Sequence, residues 1–488
     1  MDQCRSAPLG EPAAVTARGI DAVIIVPGIM GSELTEASTG RVIWGIGAAL
    51  ANAARLGYKE RMRSLAVSDD ERAGRTGRVI PTRLLAVPDW AYGLGGFEPY
   101  RNLAGAAREA LIHPDGVLEF SYDWRLSAEH NARILARAAR KHLDAWRSHP
   151  AVRAFQGEYQ DGRSPRLVFV AHSMGGLLVR AMATAGDEPL DIRAVVTLGT
   201  PFEGSARALE LLAHGHGAPV PLPAEITRDA SRTMPGVYDL LPGYRCRLVG
   251  DDVVALSPPD VAAVGGDREL AEDAFSRKRR INGVPLPGQH VAMVGTSQVT
   301  TQSVELRDGV VIGHAFGFRW HADGELFRDG IGRIFREDHG GDGTVFRHAA
   351  RLAGVPETGL VQQHAALART RGALDIITAT LTGVDVLGSV LGAAATGLDV
   401  PDAADPAQPL PIRITGDFEP ARTSCAIEDA NDNDRVVSRP LVTGRPQDGE
   451  LVIAARLPGP GLFRVRVAAG GDPVSKLVLA GAADVLDG

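Results

Sequence analysis

Four times between residues 22 and 205 the chain runs through a short apolar stretch and then breaks into a loop. Ala22–Val26 leads into PGIMGS, Gly116–Phe120 into SYDWRL, Leu167–Val170 into AHSMGG, and Ala194–Leu198 into GTPFEGS. Runs that are apolar at nearly every position, rather than at alternate ones, read as strands buried on both faces of a parallel sheet. Helical patterns lie between them, notably over Ala128–Trp146 and Gly175–Ala185. Strand, loop and helix in repetition predict an α/β fold with a doubly wound, mostly parallel sheet. Such sheets carry their sites at the carboxyl ends of the strands.

At 488 residues the chain exceeds one average core, so a large catalytic domain with a smaller appendage is expected. Residues 1–20 read as a tail and 21–396 as the catalytic domain. Two stretches are too long for ordinary connections and are expected to cover the site: 40–97 as a lid and 201–289 as a cap. The lid contains IWGIGAALANAARLG (43–57), which reads as a short helix. Residues 397–411, rich in Ala, Pro and Asp, read as a linker. PIRIT, LVIAAR, LFRVRV and KLVLA then predict a small β-sandwich over 412–488.

A formal net charge of −7 argues against nucleic acid as a partner. The three cysteines, Cys4, Cys246 and Cys425, are scattered and make neither a disulfide framework nor a zinc pattern. The N-terminus lacks the apolar core of a signal peptide, and no apolar run approaches the ~20 residues of a membrane span. These features predict a cytoplasmic protein without metal or cofactor.

Ala171-His172-Ser173-Met174-Gly175 has the pattern of a nucleophile elbow, with Ala in place of the usual first Gly. The elbow turns sharply from strand to helix, so its flanks must be small; VFV before it and GLLVRAMATA after it supply that context. A serine hydroxyl needs a histidine base, itself oriented by a carboxylate. In this fold, the α/β-hydrolase fold, the chain order is Ser, acid, His. Asp342 lies in the glycine-flanked loop GGDGTV, and His364 follows 22 residues later, just before an apparent helix. His348 stands too close to Asp342 to come from a separate loop, while His314, His321 and His339 precede it. Asp329 and Asp338 lack the glycine-flanked setting. Ser173, Asp342 and His364 are therefore the expected triad. Two backbone N–H groups should form the oxyanion hole: Met174, directly after the nucleophile, and Ile29 in PGIMG.

PGIMGSEL (27–34), YDWRLS (122–127), AHSMGG (171–176), LGTPFEGS (198–205) and GDGTV (341–345) together resemble the lecithin:cholesterol acyltransferase-like lipases. That family includes lysosomal phospholipase A2 and phospholipid:diacylglycerol acyltransferases. The resemblance covers about residues 20–375 and implies the same triad and oxyanion donors. It implies a structural role for Asp123, Trp124 and Arg125, where a buried Asp–Arg pair is the simplest reading. It also implies a lid tryptophan at Trp44 that engages lipid; the plainer reading is that Trp44 packs the lid. The signal peptide and lid disulfide of secreted members, and the transmembrane helix of membrane-bound ones, have no counterpart in the pattern here. The interval from acid to base is short for the family and points to trimmed cap segments.

The expected function is a serine esterase that cleaves lipid esters through an acyl-enzyme, in transient contact with a membrane surface. An acyltransferase would use the same acyl-enzyme with an alcohol acceptor. A reading of another class is a binding protein built on a hydrolase scaffold, with the C-terminal domain meeting a protein partner.

Overall fold

Every residue of Ala22–Val26 and of Leu167–His172 is buried, as strands covered on both faces require. The computed structural model describes residues 18–45, 63–85, 100–158, 163–184, 189–216, 224–384, 396–469 and 473–481, apart from the single positions 417, 431, 433 and 448. Six strands form the central sheet: β1 (Ala22–Val26), β2 (Val117–Glu119), β3 (Leu167–His172), β4 (Ile192–Leu198), β5 (Gln289–Thr296) and β6 (Glu357–Val361). Their order is β6-β5-β4-β3-β1-β2 and every pairing is parallel.

Side chains alternate across this sheet with period two. Ala22, Ile24, Val26 and Phe169 join one core, with Leu135 and Ala139 of helix α2 (Ala128–Arg147) and Leu177 and Leu178 of α3 (Met174–Met182). Val23, Ile25, Val168 and Val170 join the other, with Leu103 and Ala107 of α1 (Arg101–Ala110) and Ile377 and Leu381 of α4 (Arg371–Thr382). Helix α2 begins where the Ser127 hydroxyl accepts from His130 N–H, and its apolar stripe recurs at helical spacing down to Trp146. The result is the three-layer α/β-hydrolase architecture.

The strand order also positions the site. From β1 the chain crosses to β2 on one side, then returns to β3 on the other side. The carboxyl ends of β1 and β3 therefore flank a topological switch point, where open α/β sheets leave a crevice. PGIMG leaves β1 at that point and Ser173 leaves β3.

Of the expected lid helix, residues 46–57 lie outside the described residues; Val42–Trp44 is a strand in a small sheet with Ser32–Glu36 and Val79–Leu84. The expected cap segment holds helices Ala206–His214, Ala224–Ser231 and Arg268–Ile281 and a hairpin, Arg245–Val249 with Asp252–Ala255. A second hairpin, Ser303–Arg307 with Val310–His314, extends the cap sheet through Val304 beside Arg247, an element absent from the sequence reading. Its turn, Asp308-Gly309, has positive φ at both residues (49° and 80°), the dipeptide signal of a tight hairpin.

Arg125 is fully buried and makes the internal pair expected of YDWR. Its guanidinium donates to both oxygens of Asp123, to Glu71 Oε1 at 2.7 Å and to the Leu65 carbonyl at 3.2 Å. Burial alone would raise the Glu71 pKa, but the Ser68 N–H, Arg125 and Arg78 outweigh it and hold it down to about 2. This network clamps the segment after residue 62 onto the catalytic core.

The C-terminal sheets pack as a β-sandwich: a three-stranded sheet (Thr396–Asp399, Leu410–Gly416, Glu450–Ala455) against a five-stranded one containing Ser424–Asp429, Gly461–Ala468 and Val474–Ala480. The stretch 397–411 is thus more than a linker. Leu398 is buried in the sandwich core and Thr396–Asp399 pairs antiparallel with Leu410–Gly416, so its Pro and Asp residues mark turns inside the sheet. None of the described helices is long and apolar enough to cross a membrane.

Candidate active site

Ser173 sits at the end of β3 with φ 53° and ψ −128°, an uncommon conformation for a side-chain-bearing residue. Ser173 N–H donates to the Leu198 carbonyl at 2.8 Å, which helps hold the turn. The small flanks are sterically required. A Cβ on Gly175 would lie 2.5 Å from the Val26 carbonyl oxygen, and one on Gly176 would lie 2.2 Å from Thr200 Oγ1. Ala171 fits because it points into the packed sheet as part of β3.

The structure brings Ser173, Asp342 and His364 into one hydrogen-bonded line. His364 Nε2 is 2.8 Å from Ser173 Oγ, and His364 Nδ1 is 2.7 Å from Asp342 Oδ2. Asp342 lies 1% exposed beside the end of β5, and its Oδ1 accepts from the N–H groups of Thr344 and Val345. Those two bonds aim Oδ2 at the imidazole. An Nδ1–H donated to Asp342 leaves Nε2 as an acceptor for the serine hydroxyl. The His364 N–H also donates to the Asp342 carbonyl at 2.8 Å, locking the two backbones together. Gly199 and Gly295 leave room for the pair, since a Cβ on either would lie within 3.0 Å of the Asp342 side chain.

The PGIMG turn closes through Gly31 N–H to the Gly28 carbonyl, 3.1 Å. Gly28 lies so close to the nucleophile that a Cβ there would come within 2.8 Å of Ser173 Cβ. Ile29 follows directly, and no described backbone carbonyl accepts its N–H. Met174 is the first residue of α3, whose N–H has no partner within its own helix. Ser173 thus has the PGIMG turn on one side, through Gly28, and the first turn of α3 on the other, through Met174.

Two functional residues escaped the sequence reading. Gly28 N–H donates to Tyr100 Oη at 2.8 Å, and Tyr100 Oη is 2.9 Å from His172 Nδ1. His172 Nε2 is 3.0 Å from the His364 carbonyl, which can only accept. The chain of donors therefore runs from the Gly28 N–H through the Tyr100 hydroxyl and the His172 ring to the His364 backbone. Burial, and then the neighbouring His364, push the His172 pKa down to about 3, so the ring stays neutral and keeps this direction. The relay ties the oxyanion turn to the base. Its only local signal is a histidine at the end of a wholly buried strand. Tyr100→Phe leaves two buried polar groups unpaired at a cost of about 1–3 kcal/mol. Steady-state kinetics on a soluble ester should show kcat falling roughly tenfold to a hundredfold with KM little changed. An unchanged kcat would remove the relay from the account.

Trp44 faces inward. It is 3% exposed, donates its indole N–H to the Met30 carbonyl at 2.8 Å and meets Trp124 edge-on at 5.4 Å. An indole so enclosed must find an acceptor, and here it braces the PGIMG turn through the Met30 carbonyl. Elsewhere, His113, Asp115 and His149 bring one ligand atom each within 4.8 Å of one another at the amino ends of the strands. Both ring Nδ1 atoms already accept backbone N–H groups, from Asp115 and Ala151, so these histidines act as caps on the opposite end of the sheet from Ser173.

Comparison with known proteins agrees with this picture in part. Residues 97–287 match the family model described as lecithin:cholesterol acyltransferase, less than half of the chain, and the chain resembles that family there. The matched segment contains YDWR, the elbow and Ser173, and stops short of Asp342 and His364. No curated protein matches. Among solved structures, the Tle4–Tli4 complex overlaps at a TM-score of 0.46 and 16% identity, over 75% of this chain and 99% of that one. Bacillus licheniformis lipase BlEst2 in its mature form gives 0.34 and 13%, over 77% and 96%. Phospholipase PlaB from Legionella pneumophila gives 0.24 and 9%, over 96% and 90%. These overlaps are too slight to carry an argument about chemistry, which rests on the site itself.

Proposed function

We propose that the protein is a serine hydrolase that cleaves carboxylic esters of lipids through an acyl-enzyme on Ser173. The observation that carries this reading is the continuous line from Asp342 through His364 to Ser173. In the first step Ser173 Oγ attacks the ester carbonyl while His364 Nε2 takes the hydroxyl proton. Asp342 stabilises the imidazolium, and the N–H groups of Ile29 and Met174 receive the developing oxyanion. His364 then returns the proton to the leaving alcohol as the acyl–oxygen bond breaks. Water, deprotonated by the same histidine, attacks the acyl-serine and releases the carboxylic acid.

One feature supports a lipid as the ester. The matched family model is named for an enzyme that moves an acyl group from a phospholipid. The same family name favours an alcohol as a second acceptor, and the acyl-enzyme step is common to both routes. Mass spectrometry of lipid products from mixed phospholipid and neutral-lipid vesicles separates them. Free fatty acid formed by the wild type and not by Ser173→Ala supports hydrolysis, and a new acyl ester supports transfer. Lipids left untouched by both proteins would overturn the lipid assignment.

A further inference from the structure

Directly before His364, where the chain leaves β6, stand Gln362 and Gln363, and both bond to the β-sandwich. Gln362 Nε2 donates to the Pro473 carbonyl at 2.9 Å, and Gln363 Nε2 to the Leu398 carbonyl at 2.7 Å. Leu398 lies on Thr396–Asp399, the edge strand of the three-stranded sheet. An edge strand presents N–H and C=O groups that no neighbouring strand takes up. Here the Leu398 N–H donates to Gln298 Oε1 at 3.0 Å, so both backbone groups of Leu398 bond to glutamine side chains of the catalytic unit. Gln363 Nε2 also donates to Gln298 Oε1, at 2.9 Å, which closes a ring of three bonds.

The far side of this ring carries the acid. Gln298 lies just past β5, is 2% exposed, and donates its backbone N–H to the Gly341 carbonyl at 2.9 Å. Thr300 Oγ1 accepts the Gly343 N–H at 2.8 Å and donates to the Gln298 carbonyl at 2.7 Å. The residues on either side of Asp342 are thus fixed to the segment 298–300, and the residue before His364 is fixed to the same glutamine. The packing is close as well. A Cβ on Gly343 would lie 2.5 Å from Gln363 Oε1, and one on Gly397 would lie 2.3 Å from the Ser297 carbonyl oxygen. Val361, at the end of β6, packs against the sandwich core.

We propose that the β-sandwich belongs to the catalytic apparatus: through Leu398 it fixes Gln363 and Gln298, and these two positioning residues set His364 against Asp342. The inference rests on Ser173, Asp342 and His364 being the triad. Gln363 acts through the backbone of His364, and Gln298 through the backbone of the acid loop. An imidazole displaced by about 1 Å leaves the substrate-binding surface in place and loses its alignment with Ser173 Oγ, so the loss falls on turnover rather than on binding.

The test is Gln363→Met in the full chain, which keeps the length of the side chain and removes both donated bonds. Steady-state kinetics on a soluble ester should show kcat about tenfold to a hundredfold lower, with KM within about twofold of wild type. Proton NMR gives a readout independent of turnover. The His364 Nδ1–H donated to Asp342 should give a far-downfield resonance, assigned by its absence from His364→Ala, that moves or broadens in Gln363→Met. Gln363→Asn, which keeps the amide and shortens its reach by one methylene, should give the same pattern and serves if Gln363→Met does not fold. Arg435→Gln, on the outer strand of the five-stranded sheet, breaks an exposed ion pair with Asp432 and should leave both readouts at wild-type values. A folded Gln363 variant with wild-type kcat, or with an unmoved resonance, overturns the inference; the glutamines then only fasten the two units, and the thermal unfolding midpoint alone falls. Turnover that survives in Ser173→Ala overturns the triad instead, and the resonance still decides whether Gln363 positions His364.

Discussion

Ser173→Ala should lower turnover of a soluble ester by at least about ten-thousandfold while thermal stability stays the same or rises. The chemistry requires the first effect, since no acyl-enzyme forms without Oγ and only oxyanion stabilisation and binding remain. The backbone bears on the second. Ser173 is held at φ 53° by its bond to the Leu198 carbonyl and by tight packing of Gly175 against the end of β1, and alanine keeps both. Asp342→Asn should approach the same loss, on the order of ten-thousandfold, because an amide can present its NH2 to Nδ1 and favour the wrong tautomer. Kinetics combined with circular dichroism check both variants. A Ser173→Ala protein that retained a tenth of the wild-type rate would contradict the assignment.

Arg125→Met should produce the largest loss of stability of any single change outside the sheet. Removing the guanidinium leaves the buried Asp123 without its cation and takes one of two arginines from the buried Glu71, and breaking a buried pair from one side costs about 3–5 kcal/mol. A loss of that size is a large share of the stability of an ordinary domain. Chemical denaturation should show the shift in midpoint, and limited proteolysis should cut first in the segment from residue 63 to 72 that Glu71 anchors. The wild type should also carry a pH signature. The Glu71 pKa is depressed in the folded protein from 4.5 to about 2, so its contribution is complete above pH 4.5 and is lost as pH falls toward 2. A variant without Arg125 should lose part of that acid-limb slope, the part left being held by the Ser68 N–H and Arg78. An Arg125→Met midpoint within experimental scatter of wild type would refute the clamp.

Much of this arrangement was legible in the sequence because its causes are local. Strands buried on both faces show as unbroken apolar runs, and the elbow needs small residues at fixed offsets from Ser173. Asp342 and His364 emerged from the order of groups that the fold imposes and from the glycines around the acid. Tyr100 and His172 did not emerge, because their contact joins residues 72 apart and no spacing rule connects them. The hairpin at Asp308-Gly309 was signalled by its turn and overlooked because the surrounding strands pair with a cap segment more than 50 residues earlier in the chain. The reading of 397–411 as a linker failed for a related reason: small residues and prolines mark turns within a sheet as well as gaps between domains. Trp44 was placed by family resemblance alone. Its indole N–H and its neighbour Trp124 explain its burial without any lipid.

The most direct measurement of the central claim is acid quenching of the protein during turnover of a short-chain ester, followed by intact-mass and peptide mass spectrometry. The account predicts one added acyl group, carried by the peptide containing Ser173 and absent from Ser173→Ala. An acyl group on a different residue, or sustained wild-type turnover with no adduct trapped under conditions where deacylation is rate-limiting, would contradict it.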